Sequence, residues 1–412
     1  MTPCKPEWPG AKALGVEIAW RFEFVGHGSR LDPEPNVITL DVGNAFGPGM
    51  LDQHHDLDLG LSTAELVFKH PELVYEHLAE GLFEASRSVE CSVYRPVIRT
   101  HWSPDFDAVV SAVLVQELLT HGRFPTWAKS LVEIASSVDS GAWRPEISQG
   151  MDSPALKSVM LMMHAIEAPD DASRMTLAMA YLIAEADSLE AKLSSPSGGD
   201  DDSARFAARG ERSIWEGPLC GGWAKGDPHA EAIIERLRPD MSRYQALSPQ
   251  VSRSVVSGLP CREGEPKGLS VSCASVPPEL VIGAQAPVRL LKYWLRAEGA
   301  VMTIIPLPHK VTGRHRVIIA LDPTYRDPSG HRPSLLGLGR ALEEAEQAQR
   351  LATGDPALIR IGTPRYDWVD HDDPWYTGVG HDYTIVDSPR SGSVLEHEVI
   401  ADIASDPASW MR

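Results

Sequence analysis

A histidine and two carboxylates fall within one short segment, His101-Trp-Ser-Pro-Asp105-Phe-Asp107-Ala-Val-Val-Ser-Ala, and these are side-chain types that hold a divalent cation. The residues before them, Pro96-Val97-Ile98-Arg99-Thr100, read as a short strand. Those after them, Ala108 to Leu119, are apolar on nearly every face, which predicts a buried helix. The three polar groups therefore belong at the carboxyl end of a strand, where open α/β sheets place their ligands. Helix capping alone accounts for Asp105 or Asp107, but it does not require His101.

Three further constellations have the same character. Val37-Ile-Thr-Leu-Asp41-Val-Gly43 is an apolar strand ending in a carboxylate and a glycine, and Met50-Leu-Asp52-Gln53-His54-His55-Asp56 follows it closely. Ile134-Ala-Ser-Ser-Val-Asp139-Ser-Gly141 is a helix end with an acid and a glycine terminator. Taken singly, Asp-x-Gly suits a turn, a His-His pair suits a surface loop, and Asp139 suits a helix end. Four acid or histidine clusters, each closing an apolar segment within about 100 residues, are not explained by independent turns. Asp41, His54, His55, His101, Asp105, Asp107 and Asp139 form a set of imidazoles and carboxylates without thiolate, which suits manganese or a related cation better than structural zinc.

The elements that must position these groups alternate. Strands are expected at Val16 to Phe24, Val37 to Leu40 and Val97 to Thr100, with helices at Thr63 to Ala79, Ala108 to Leu119 and Trp127 to Val138. Such alternation implies α/β architecture, a mainly parallel sheet flanked by helices. Helical patterns follow at Pro154 to Ile166 and Ala172 to Leu193. The polar run Ser194-Ser-Pro-Ser-Gly-Gly-Asp-Asp-Asp202 then reads as a linker or mobile loop. Beyond it, β-rich runs at Leu280 to Gly283, Val301 to Pro306 and Arg316 to Leu321, with a helix over Leu335 to Leu351, suggest a second, smaller α+β domain. The expected division is a catalytic domain with a helical extension over 1–195, a linker over 196–213, and a substrate domain over 214–412.

A chain of 412 residues is long enough for two cores. Its five cysteines are scattered and form no CxxC pair, which argues against a disulfide framework and a structural zinc site. No charged-then-apolar leader opens the chain, and no apolar run approaches the roughly 18 residues of a membrane span, so a soluble cytoplasmic protein is expected. A formal net charge of -19 opposes broad binding to duplex nucleic acid. It leaves room for a small nucleotide or a strand end at a metal-lined cleft, where bound cations reverse the local sign.

Asp41-Val-Gly43, Gln53-His54-His55 and Leu61-Ser-Thr-Ala-Glu-Leu-Val-Phe-Lys-His70 resemble the DHH phosphoesterase superfamily, most of all its melanocyte-proliferating-gene branch. His101-Trp-Ser-Pro-Asp105-Phe-Asp107-Ala resembles the superfamily's first motif, His-x-x-x-Asp-x-Asp-Ala, and Asp139-Ser-Gly141 its last acidic motif. The resemblance covers roughly residues 35 to 145. Two departures stand out. The His-x-x-x-Asp-x-Asp motif follows the His-His motif instead of preceding it, so the core is expected to be circularly permuted. The family's Asp-His-His reads Gln53-His54-His55, with Asp52 one place early, so that either Asp52 supplies the missing acid through a bulge or that role is lost.

The resemblance implies that His101 and Asp105 bind a first Mn²⁺ ion, that Asp107, His54 and Asp139 bind a second, and that Asp41 bridges them, with Mg²⁺ as another occupant. His55 then faces the substrate and joins Asp41 as a catalytic group. Such a site suits phosphate-ester or phosphoanhydride hydrolysis. It also implies substrate recognition by the second domain, for which Asp373-Pro-Trp375-Tyr376-Thr-Gly378-Val-Gly380-His381 and Ser388-Pro-Arg390 are the matching segments. There Gly378 and Gly380 would admit close backbone approach, His381 and Arg390 would pair with phosphate, and Trp375 or Tyr376 would stack on a base. Part of a basic set, Lys310, Arg314, His315, Arg316, Arg326, His331, Arg332 and Arg340, would line the same cleft, and the rest is solvated surface. The expected reaction is cleavage of a phosphodiester in a short oligonucleotide, a single-stranded nucleic-acid end or a signalling nucleotide. The alternatives are pyrophosphate or polyphosphate hydrolysis, and a non-catalytic scaffold that binds a nucleotide or a partner protein, including a second copy. If the permutation is real, the strands Val37 to Leu40 and Val97 to Thr100 are near neighbours in one parallel sheet, with Asp41 and Asp105 close enough to share a metal.

Overall fold

The structure is a computed structural model that describes residues 8–26, 29–53, 61–88, 92–139, 166, 168–193, 228–264, 268–282, 288, 290–309, 314–355, 375–377, 383–389 and 391–410. The chain is mixed α/β and divides into two compact units that part between Leu237 and Arg238. The expected linker at 196–213 and nearly all of the helix expected over Pro154 to Ile166 lie outside the described residues. No helix among the described residues is long and apolar enough to cross a membrane.

The first unit is organised by a five-stranded sheet. Its strands are β2 (Arg21–Val25), β3 (Val37–Leu40), β4 (Phe46–Gly47), β5 (Met50–Leu51) and β7 (Val97–His101), in spatial order β2-β7-β3-β5-β4. The first four strands of that order run parallel, and β4 turns back antiparallel to β5. Every residue of β3 and β7 is buried, as expected of a parallel sheet covered on both faces. The segment Val16 to Phe24 does not form one strand. Glu17–Ile18 (β1) pairs instead with Val93–Tyr94 (β6) in a separate two-stranded sheet.

The helices follow the sequence with one break. Helix α1 (Ala11–Leu14) is a single turn. The helix expected over Thr63 to Ala79 is two, α2 (Thr63–Lys69) and α3 (Pro71–Arg87), hinged at His70 with φ -123 and ψ 54. A residue before proline is driven out of the α region by the pyrrolidine ring, and the proline then starts the next helix. Helix α4 (Phe106–His121) is buried from Phe106 to Val115 without interruption and packs against β3 and β7. Asp105 caps its amino end, the Oδ1 accepting from Ala108 N at 3.1 Å, and Gly122 closes it in the left-handed conformation, φ 71. Helices α5 (Ala128–Asp139) and α6 (Asp171–Leu193) lie against α4.

The strands expected to be neighbours are directly paired. Strand β3 runs parallel to β7 in the register Val37↔Val97, Ile38↔Ile98, Thr39↔Arg99. Continuing that register sets Asp41 level with His101, so two groups far apart in sequence leave the sheet side by side at its carboxyl edge.

The second unit holds a mixed five-stranded sheet of order β12-β11-β10-β9-β8, from β8 (Ser252–Leu259), β9 (Leu269–Ser275), β10 (Met302–Leu307), β11 (Arg316–Leu321) and β12 (Ile385–Asp387). All neighbours are antiparallel except β9 and β10, whose crossover carries α8 (Leu291–Ala297). Helix α7 (Pro228–Leu247) precedes this sheet, and its buried Asp240 accepts from Trp294 Nε1 at 3.1 Å. Helices α9 (Leu338–Thr353), α10 (His397–Ser405) and α11 (Pro407–Trp410) complete the core around Val256, Ile304, Ile319, Leu342 and Ile400. Two expectations change. Leu280 to Ile282 is turn, not strand, with a 3-10 turn at Pro278–Leu280. The amides of Leu280, Val281 and Ile282 donate back to the carbonyls of Pro277 and Pro278, which closes a turn in place of a ladder. The helix expected from Leu335 begins at Leu338, after Gly337 with φ 92.

Leu114 lies fully buried in α4, beneath the sheet that carries the polar groups. Leu114→Ala should lower the stability of the first unit by about 2–5 kcal/mol, read as a shift of its urea midpoint by circular dichroism. A shift worth less than about 0.5 kcal/mol, the size expected of a surface change, would mean that this helix is not the core of the unit.

Candidate metal centre

The carboxyl edge of the first sheet gathers acids from separate segments. Asp41 follows β3 with a left-handed backbone, φ 59, a conformation that aspartate tolerates better than most side chains. Its amide N–H donates to Leu51 O at 3.1 Å. Its Oδ2 lies 3.1 Å from His101 Nε2. The other ring nitrogen, His101 Nδ1, lies 2.9 Å from Trp102 O and donates there, so Nε2–H donates to Asp41 in the protonated ring and Nε2 offers a lone pair to a cation in the neutral one. Ligand atoms of Asp41, His101 and Asp105 all fall within 4.8 Å of one another. Asp41 and His101 are buried, and Asp105 is exposed, so the group opens to solvent on the Asp105 side.

Asp107 is held differently. It sits in the first turn of α4, almost fully buried, and its Oδ2 and Oδ1 accept from Thr63 N at 2.7 Å and Ala64 N at 3.1 Å. The carboxylate of one helix thus satisfies free amides at the start of another, where the helix dipole favours negative charge. An ionised carboxylate has about four lone-pair positions, so these two bonds leave room for a cation. Asp139 closes α5 and is exposed. Helix α5 is tied to α2 through Ser62 Oγ and Ser136 Oγ, 2.9 Å apart, and Ser136 Oγ also donates to Glu65 Oε2 at 3.3 Å.

The electrostatics of the cluster are dominated by its carboxylates. Burial pushes the Asp107 carboxyl well above the usual carboxylate range, and the charges of Asp139, Asp41 and Asp105 push it further. Burial lowers the His101 pKa, but the Asp41 hydrogen bond and the charges of Asp41 and Asp105 outweigh it and raise the value to about 9. The cluster therefore recruits protons to balance negative charge. A divalent cation balances the same charge, and the oxygen and nitrogen donors fit one.

Two residues of the Asp-Gln-His-His run have structural partners. Gln53 Nε2 donates to Asp41 Oδ1 at 3.0 Å, and Gln53 Oε1 accepts from Thr63 Oγ1. Gln53 thus connects Asp41 to the start of α2, where Asp107 is bound. Asp52 is buried and accepts from Asn44 N at 2.7 Å, and it braces the loop after β3. His54 and His55 lie outside the described residues.

The second unit offers less to a substrate than its sequence suggests. Trp375 is completely buried in the core, so its ring packs and is not presented to a base. Tyr376 is also buried, in a β-bridge with Asp387. Gly378, Gly380, His381 and Arg390 lie outside the described residues, as does Lys310. The basic set is largely engaged with acids. Arg314 pairs with Asp355, His315 with Glu396, Arg316 with Asp387, His331 with Asp327, Arg332 with Glu263 and Arg340 with Glu344. Arg326 donates to Gly330 O at 3.2 Å. Among the described arginines of this set, Arg314, Arg316, Arg332 and Arg340 are thus each matched by a carboxylate.

No family model, curated protein or solved structure matches this chain. The site is therefore described from its own geometry.

The sequence singles out Asp41, His101, Asp105, Asp107 and Asp139 and marks Gln53 only as a departure from a motif. The hydrogen bonds of Gln53 to Asp41 and Thr63 come from the fold. Gln53→Ala should weaken divalent-cation affinity about 10–100-fold, the usual effect of removing a group that orients a ligand. Equilibrium dialysis checks this, and unchanged affinity would mean that Asp41 is oriented without Gln53. A second expectation concerns pH. The raised His101 pKa contributes stability that is fully present below about 6.5 and lost as pH rises through about 9. Because a cation at His101 must displace that proton, divalent-cation affinity should rise with pH across the same window and level off above it. Competition with a chelating dye at several pH values reads this, and affinity that is flat from pH 6.5 to 9 would remove His101 from the ligand set.

Proposed function

We propose that this chain is a soluble, cytoplasmic, manganese-dependent phosphoesterase of DHH type with circularly permuted motifs, hydrolysing a phosphodiester in a short oligonucleotide, a single-stranded nucleic-acid end or a signalling nucleotide. The observation that carries the reading is the meeting of Asp41, His101 and Asp105 within 4.8 Å, with Asp107 electrostatically linked to Asp41, Asp105 and Asp139. Parallel pairing of β3 with β7 supports the permuted order, because it brings the two motif segments to one sheet edge.

In this reading His101, Asp105 and Asp41 would hold one cation, and Asp107, His54, Asp139 and Asp41 would hold a second. Cations there would supply Lewis-acid polarisation of phosphoryl oxygens and a nucleophile from water at neutral pH. Gln53 Nε2 and His101 Nε2 fix the two oxygens of Asp41. His101 holds its ring plane through the Trp102 carbonyl, and Asp107 is kept from rotating by the two amides of α2. His55, next to the proposed ligand His54, is assigned to the substrate side as the group that protonates or polarises the leaving oxygen. The ion-paired state of the basic residues in the second unit weighs against pyrophosphate or polyphosphate, which need unpaired positive charge.

Metal analysis together with hydrolysis of bis-p-nitrophenyl phosphate and short oligonucleotides, with and without Mn²⁺, tests the proposal. Mn²⁺-dependent turnover is expected. Asp107→Asn should reduce it at least about a hundredfold while the circular dichroism spectrum is retained. Full activity in that variant, or no metal and no turnover in the native chain, would refute the two-cation assignment.

A further inference from the structure

We infer that His397 is an acid-sensitive latch in the second unit, holding helix α10 in place while its ring is neutral and releasing the helix when the ring takes up a proton. The ring belongs to the second unit and takes no part in the metal centre of the first.

Helix α10 is docked by apolar side chains. Leu395 just before it, and Ile400 and Ala404 within it, belong to the core of the second unit, and the helix packs against α9 and α11. His397 is its first residue and is only 5% exposed. Neither of its ring nitrogens has a hydrogen-bond partner among the described residues. A buried polar atom left unpaired costs stability, so a buried imidazole in this state calls for a physical account. The neutral ring leaves one N–H donor and one lone pair unmatched. A protonated ring would leave two donors and a full charge unmatched, which the interior tolerates far less. Its position adds to this, since the amino end of a helix carries partial positive charge and repels a cation.

The neighbours do not compensate. Burial is the largest influence on the ring and holds its pKa below the usual histidine range. Glu398 on the same helix and Glu279 in the 3-10 turn Pro278–Leu280 favour a proton, and His315, next to the first residue of β11, opposes one. Glu396, the carboxylate beside His397 in sequence, lies 3.5 Å from His315 Nε2 instead. Helix α9 brings Glu343, Glu346 and Arg350 to the same unit, and none of them bonds the ring. Helix α11, Pro407–Trp410, carries no titratable side chain.

Once α10 leaves the core, the ring is hydrated and titrates near its ordinary value of about 6.5. The docked helix therefore keeps its full stability above about 6.5 and loses it as pH falls, by up to about tenfold in the opening equilibrium per pH unit, until the lowered pKa of the docked ring is reached. A proton thus biases a two-state element, docked or released, through one side chain.

Two measurements on the full chain test this. The Cε1–H resonance of His397, assigned as the signal missing from His397→Gln, gives the pKa of the ring directly. A value below about 6.5, the ordinary histidine value, is expected, and one at or above it overturns the inference. Hydrogen exchange followed by mass spectrometry reads the release itself. Protection of the amides of Ile400 to Ser405, corrected for the pH dependence of intrinsic exchange, should fall about three- to fivefold from pH 6.5 to 5.5 in the native chain. In His397→Gln and His397→Leu, which place no titrating ring there, the same change should stay under about twofold. Circular dichroism shows that each variant is folded. A native-sized pH dependence in the variants, or its complete loss in His315→Gln with His397 intact, would assign the effect to another group and overturn the inference.

Discussion

A single buried carboxylate joins two helices of the first unit. Asp107 belongs to the first turn of α4 and accepts from the first amides of α2, so the amino ends of both helices converge on one negative charge. A buried carboxylate is tolerated only where hydrogen bonds and opposite charge offset its desolvation. Two amides and a helix dipole supply part of that, but Asp41, Asp105 and Asp139 work against it. The remaining demand is for positive charge at the carboxyl edge of the sheet. A protonated His101 meets part of it, and a cation held by Asp41, His101 and Asp105 would meet the same demand.

That demand explains why the surroundings are rigid. Strands β3 and β7 are wholly buried and paired in register, which sets Asp41 beside His101. Gln53 spans from Asp41 to Thr63, and so connects the end of β3 with the helix that holds Asp107. Ser62 and Ser136 tie the same helix to α5, whose last residue is Asp139. Asp41 and Asp107 are therefore each braced by neighbours from other segments, while Asp105 caps its own helix. Like charges placed this close would otherwise separate by rotating into water.

The second unit is built on another plan. Its mixed sheet is stabilised by an apolar core and by ion pairs that occupy much of its positive charge. One network is buried: Glu346 accepts from Arg350 Nε at 2.8 Å and Val394 N at 2.8 Å, and it bonds Ser393. Arg350 Nη2 donates to Gly392 O at 3.0 Å, so this network fixes the stretch that follows Arg390. In sequence, Arg314, Arg316, Arg332 and Arg340 suggest a phosphate-binding surface, but in the fold each pairs with a carboxylate. An arginine two residues from a glycine looks the same whether its guanidinium meets a ligand or an internal carboxylate.

Much of the first unit was legible because its signals are local. Continuous apolar runs bounded by polar residues mark β3, β7 and α4, and the ligand-type residues sit at their ends. Strand β9 was legible in principle and was missed: its Leu269-Ser-Val-Ser-Cys alternation buries every second side chain, but serine-rich stretches resemble loops. The break between α2 and α3 was also written locally, in the proline after His70. What the chain alone determined is which residue types end which apolar segments, and hence that oxygen and nitrogen ligands without thiolate would gather at a strand edge. Only the tertiary structure decided which of them meet, that Gln53 orients Asp41, that Asp107 anchors a second helix, and that Trp375 is buried. Side-chain period and residue type are properties of neighbours in sequence; register, burial and the pairing of charges are set by segments far apart in the chain.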